Sequence, residues 1–268
     1  MEVILMSRGN ILVTDYAEEV LKWMKKTESE SIPWKGNSPQ LNVRLYLVDL
    51  IRIVCETLKL NVLTTHLAVY LLDRFMETHR ISKQQLKLAS LTTILIAAKF
   101  EEAEEKIPSI TDLNSLVNNK YSLKLFNSME QYILKSFNWN VGKVTAAHFA
   151  EFYLTRGIIV GDTMKGITIT NKLQASKLLW KETLDFLDRS IQDYLFLQWP
   201  STQVAAACLA CGRVNCDILP TWPLPLETTT GYTLQMLSQI MDELFRIYEK
   251  DQKAVTAVVS PVTQITNE

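Results

Sequence analysis

Apolar positions recur with a helical period along most of this sequence. In the segment 41–58, Leu47, Leu50, Ile51 and Val54 fall at i, i+3, i+4 and i+7, which places them on one stripe of a helix. Leu67, Tyr70, Leu71 and Phe75 give the same rhythm over 62–78. The next segment, 83–101, contains LKLASLTTILIAAKF, which is apolar nearly all round. A helix of that pattern is buried on several sides, so it is predicted to be the hub of a bundle. Two further helices are predicted over 110–118 and 122–137. Ahead of them, TDYAEEVLKWMKKT at 14–27 reads as a short amphipathic helix. Thr14 or Asp15 can cap it, and Glu18 and Glu19 early with Lys25 and Lys26 late suit its dipole. Val20, Trp23 and Tyr16 share one face. SESIPWKGNSPQ then breaks the helix with two prolines and a glycine.

From 144 onward the pattern returns. Helices are predicted near 145–156, 172–190, 201–215 and 232–250, and STQVAAACLACGR supplies a second small, apolar hub. LLDRF at 71–75 and FLDRS at 186–190 each precede a hub helix, so the order of elements points to a duplication. The chain reads as all-α: two helical bundles of about five helices each behind an N-terminal helix. The divisions fall at 1–39 (N-terminal helix and linker), 40–142 (first bundle), 143–250 (second bundle) and 251–268, a tail without period expected to be frayed or extended.

Charge narrows the classes of function. The 28 Lys and Arg nearly balance 29 Asp and Glu, for a net charge of −1, so no global basic field attracts nucleic acid or an anionic membrane. No apolar run reaches the ~18–20 residues of a membrane span. The opening MEVILMSRGN has no basic region before its apolar stretch, and a cleaved signal peptide is not expected. Three of the four cysteines, Cys208, Cys211 and Cys216, crowd into CLACGRVNC, with Cys55 elsewhere. A metal site would need a fourth ligand, and His66, His79 and His148 are distant in sequence; the plainer reading is small side chains in a packed helix. Neither a nucleotide-binding glycine signature nor a recognisable nucleophile–base arrangement occurs. No catalytic residue, metal or cofactor is expected.

Several segments carry a resemblance in the right order. RLYLVDLIRIVCETLKL (44–60), HLAVYLLDRFM (66–76), LKLASLTTILIAAKFEE (86–102) and MEQYILKSFNWNV (129–141) resemble successive helices of the cyclin box. LQWPSTQVAAACLA and TWP…TGYT are similar to the second cyclin fold, so the likeness spans about 14–250 of the sequence. Among cyclins, SPQLNVRLYLVDL, HLAVYLLDRFM and TAAHFAEFYL are most similar to the cyclin J group.

The resemblance implies tandem cyclin-box folds and a regulatory subunit, not itself an enzyme. Such a subunit binds and activates a cyclin-dependent serine/threonine kinase as a heterodimer, here in cell-cycle control. It implies an intracellular place, nuclear or cytoplasmic, with protein substrates or inhibitors as further partners. Arg44, Asp73, Leu88, Lys99 and Glu130 match the family's signature positions. Arg44 and Asp73 are then a buried structural pair and Leu88 is core. Lys99 and Glu130 face the kinase, where Lys donates to main-chain carbonyls and Glu accepts from an amide. Around them the likeness places Phe100, Leu134, Trp139 and Val141, with Val20 and Trp23 of the leading helix and Tyr16 at the edge. Residue physics alone reads Lys99 and Glu130 as an ordinary surface ion pair, and the apolar set as core.

One region departs from the family pattern. Many cyclins dock substrates bearing Arg-x-Leu on a patch with Met, Trp and Gln; the matching positions here are Val43, Leu50 and Lys87, with Tyr46 and Leu47 in the same region. Weak or altered docking is expected. A cyclin-fold scaffold that activates no kinase is the competing reading, followed by a nucleic-acid-binding relative of the fold. Arg44-x-x-Leu47 matches a minimal destruction box but sits in a core helix, and Ser38-Pro39 and Ser260-Pro261 are commonplace dipeptides.

Overall fold

The computed structural model describes residues 16–30, 35–36 and 38–259. The expected caps Thr14 and Asp15, most of the break before residue 38 and the Ser260-Pro261 dipeptide lie outside the described residues. The described residues are mainly helical: α1 (Ala17–Ser29), α2 (Leu41–Thr57), α3 (Val62–Thr78), α4 (Leu86–Glu101), α5 (Ile110–Ser115), α6 (Leu123–Ser136) and α7 (Ala146–Leu154) come first. Then follow α8 (Lys172–Gln192), α9 (Ser201–Asn215), α10 (Leu224–Thr230) and α11 (Leu234–Val259). Two compact units result, one from Glu18–Phe149 with Ile191–Ser201, the other containing Ala150–Ser190 and the chain from Thr202.

In the first unit α4 is the hub. It packs against α2, α3, α5 and α6, and every residue from Leu88 to Ala98 is buried. Its small side chains let neighbouring helices approach. The hydroxyls of Ser90, Thr92 and Thr93 turn back to the carbonyls of Leu86, Leu88 and Ser90, so burying them strands no polar group. Leu47, Ile51 and Val54 of α2 and Leu67, Leu71 and Phe75 of α3 meet it in one core. Each fully buried aliphatic or aromatic side chain contributes about 1.5–3 kcal/mol. Asn61, Ser109 and Ser122 cap α3, α5 and α6 by accepting from first-turn amides. α5 stops earlier than its sequence pattern suggests. Asn118 and Asn119 both take positive φ, a conformation that ends helices.

The second unit has its own hub, α9, buried from Val204 to Arg213. Gly212 lets it close on α8: a Cβ there would stand 2.7 Å from the Thr183 hydroxyl. Phe186 of α8 meets Phe245 and Tyr248 of α11. Cys208, Cys211 and Cys216 are buried free thiols, and burial pushes Cys216 up to about 11. Among the described residues no group of three or more His, Cys, Asp and Glu could hold a metal.

Three features here were not legible in the helical pattern. β1 (Thr163–Met164), β2 (Ile167–Thr168) and β3 (Ile218–Leu219) form a small antiparallel sheet ordered β2-β1-β3. Lys165 and Gly166 make its hairpin turn, both at positive φ. α10 is an extra short helix. α11 runs on through residues 251–259, part of the segment expected to fray. No described helix is long and apolar enough to cross a membrane.

Candidate docking face at the end of helix α4

The last turn of α4 and the residues after it read Lys99-Phe100-Glu101-Glu102, and each side chain goes to a different element. Lys99 leaves toward α6, its ammonium 2.6 Å from Glu130 Oε1. Phe100 stays 54% exposed and lies on the backbone of Gly142, where a Cβ would collide with the ring. Glu101 turns inward to His148 Nε2 at 3.0 Å. Glu102 reaches the start of α3, where Oε1 accepts from the Asn61 amide at 2.5 Å and the Thr64 hydroxyl at 2.6 Å.

α6 supplies the neighbouring edge. Its end is closed by the Trp139 amide donating to the Leu134 carbonyl at 2.8 Å, with Asn138 at φ 50° and Trp139 at φ 63°. Left-handed backbone suits Asn, but for a bulky Trp it stores strain. The indole is nonetheless 66% exposed, so burial of the ring does not compensate. Leu134 and Val141 pack partly against the core, so these two are shared between core and surface. Trp23, 60% exposed, and the half-buried Val20 stand on α1, a different element, whose other face buries Ala17, Leu21 and Met24. Tyr16 is exposed just ahead of that helix.

An exposed ion pair such as Lys99–Glu130 contributes roughly 0.2–1 kcal/mol, little for stability. Chemically it offers more: an ammonium has three donors and uses one on Glu130, while a carboxylate has acceptor sites to spare.

Arg44 and Asp73 are buried and joined by a bidentate bond, Nε to Oδ1 and Nη2 to Oδ2, both 2.8 Å. The remaining fork of Arg44 donates to the carbonyls of Gln192 at 2.8 Å and Ile191 at 2.9 Å. Burial pushes the Asp73 carboxyl above its ordinary range, against the pull of Arg44. The second unit holds a pair that sequence reading missed: Arg213 Nη1 and Nη2 to the two oxygens of Asp162, at 2.9 and 3.0 Å. Asp162 lies outside the FLDRS segment that parallels LLDRF, so the repeat does not mark it.

The altered patch needs one correction. Leu47 is 1% exposed and belongs to the core; the helical stripe that makes it hydrophobic also turns it inward. Val43 and Leu50 are half-buried against the same core. Tyr46 is exposed, with the Lys87 ammonium 5.4 Å above its ring, a cation–π contact.

Comparison with known proteins decides the family. The model for the cyclin N-terminal domain matches residues 18–142, and that for the cyclin C-terminal domain matches residues 144–263. The chain belongs to the cyclin family. Cyclin-J of Xenopus laevis is 36% identical over 243 residues, covering 88% of this chain and 63% of that protein. Cyclin-J of Homo sapiens is 37% identical over 242 residues, covering 88% of this chain and 62% of that protein. The cyclin thus spans less than two thirds of the length of these relatives. A viral cyclin from herpesvirus saimiri shares the fold, with a TM-score of 0.54 at 15% identity over 89% of this chain and 99% of that one.

Glu101, Glu102, Gly142 and His148 were absent from the sequence-derived site. Glu102 lies within the quoted KFEE run, and Thr145-x-x-His148 has capping-box spacing, so a signal existed for both. Nothing in sequence marks Gly142 as the bed of an aromatic ring.

Proposed function

We propose that this cyclin binds a cyclin-dependent kinase through Lys99, Glu130, Phe100, Leu134, Trp139 and Val141, with Val20 and Trp23, and switches that kinase on in cell-cycle control. The observation that carries the reading is Trp139: a large indole held out in solvent on strained left-handed backbone, near the Gly142 bed of Phe100. Strain kept at an exposed aromatic is a cost without a structural return, and aromatic anchors dominate binding hot spots. The Lys99–Glu130 pair adds side-chain donors and an acceptor for a partner's main-chain groups on the same α4–α6 edge.

The mechanism needs no catalytic group from the cyclin. A kinase whose regulatory helix is mostly turned out keeps its phosphate-positioning Lys apart from its Glu partner. A protein that binds the turned-in state more tightly shifts the population by that difference in affinity. The chain is neither kinase nor phosphatase in this reading, and it works inside the cell, in nucleus or cytoplasm. The test is reconstitution with a panel of recombinant cyclin-dependent kinases, scored for complex formation and phosphate transfer to a generic substrate. Activation of one or more kinases supports the proposal. Stable complexes without activation would favour the scaffold reading, and no complex would remove both.

A further inference from the structure

His148 sits at the third position of α7, and the first turn of that helix is closed through its ring. The Thr145 carbonyl accepts from the His148 amide at 3.1 Å, and the Thr145 amide donates to His148 Nδ1 at 3.1 Å. The second bond is the reciprocal half of a capping box, with an imidazole in the place usually taken by Glu or Gln. The bond fixes the ring chemistry. Nδ1 accepts, so the proton of the neutral ring is on Nε2 and is donated to Glu101 Oε1, 3.0 Å away. Thr145 Oγ1, 2.9 Å from Nδ1, is the other group on that side.

One imidazole therefore joins two stretches of chain. Glu101 follows Lys99 and Phe100 at the end of α4; Thr145 follows Trp139, Val141 and Gly142 at the start of α7. The Glu101 side chain is 4% exposed and that of His148 19% exposed, so the link is shielded from competing water. The contact of Phe100 with Gly142 is a second fastening between the same two stretches. A surface-exposed Lys, Phe and Trp on long, rotatable side chains lose entropy when they dock, and fixing the backbone that carries them lowers that cost.

We infer that Glu101 and His148 are positioning residues of the docking face: they touch no partner, and they hold the Lys99–Phe100 end of α4 in register with the Trp139–Val141 segment. This inference rests on the reading that the face binds a kinase.

The test is a double-mutant cycle on a recombinant cyclin-dependent kinase that the wild-type chain binds. Glu101→Ala should weaken binding about tenfold, within the range for stranding one buried hydrogen-bonding group. Glu101→Gln, which keeps an acceptor for Nε2–H, should restore most of it. In a Lys99→Ala/Phe100→Ala background Glu101→Ala should cause no further loss, because the groups it positions are gone. Equal loss in both backgrounds would mean general structural damage and overturn the inference, as would no loss in the wild-type background. Long-range proton–nitrogen spectra of the histidine ring give a reading that does not depend on any kinase: the Nε2–H tautomer is expected for His148, and an Nδ1–H tautomer would overturn the clamp. Failure of the wild-type chain to bind any kinase would remove the docking reading itself, a result distinct from an additive cycle.

Discussion

Acid should destabilise this cyclin through His66. The ring lies in the second turn of α3 and is 3% exposed, and its Nε2 is buried with no hydrogen-bond partner among the described residues. Burial, then electrostatic coupling to His148 and Arg52, lowers its pKa from 6.5 to about 3. The unfolded chain takes up this proton near the ordinary value, while the folded chain refuses it until far lower pH. The unfolded state therefore binds more protons between the two values. Stability is fully present above about 6.5 and is lost as pH falls toward 3, by up to about 1.4 kcal/mol per pH unit. At pH 5 the accumulated loss is about 2 kcal/mol, a large share of the 5–15 kcal/mol typical of a domain. Other groups titrate in the same range, so the contribution is isolated by difference. His66→Leu replaces the ring with an apolar side chain of similar size and gives up no bond at Nε2. Urea unfolding of both proteins at pH 7.5 and pH 5.0 gives each a stability gap, and the gap of the variant should be smaller by about 2 kcal/mol. Equal gaps would show that His66 titrates normally in the folded chain and refute the reasoning.

The other expectations concern the pair, the ring bed and the patch. Arg44→Met should cost about 3–5 kcal/mol in chemical unfolding, since it strips the buried Asp73 carboxyl of its partner and leaves two carbonyls without donors; a change below about 1 kcal/mol would contradict the buried-pair account. Gly142→Ala should swing the half-exposed Phe100 ring off its bed, with a small change in Tm but a clear loss of kinase affinity by titration; unchanged affinity would remove Phe100 from the face. Arg-x-Leu peptides should bind weakly in fluorescence titrations, because Lys87 presents a cation beside Tyr46 where the basic motif must approach; tight capture of such peptides would refute this.

The helices of the first unit were legible because their burial is one-sided or total. A stripe such as Leu47–Val54 can face only one core, and α4 is buried all round from Leu88 to Ala98. The residues of the candidate face were named from motif likeness, which set them on the surface, whereas residue physics alone read them as core; Phe100 is 54% and Trp139 66% exposed. Leu47 shows the converse, a position grouped with a surface patch by sequence and drawn into the core by its helical phase. The link through Glu101 and His148 joins residues 47 apart in sequence, and only its Thr145–His148 half has helical spacing. The small sheet escaped because two-residue strands are too short to show alternation, and α10 because its apolar residues are interrupted by prolines and threonines.

The central claim is kinase activation through the Lys99–Glu130 edge. Its most direct measurement is a pull-down from dividing cells with the wild-type chain and with Lys99→Ala/Glu130→Ala, each eluate assayed for kinase activity. The account predicts that the wild type recovers kinase activity and the double variant does not, at equal Tm. Activity recovered equally by both, or by neither while other proteins co-purify, would contradict it.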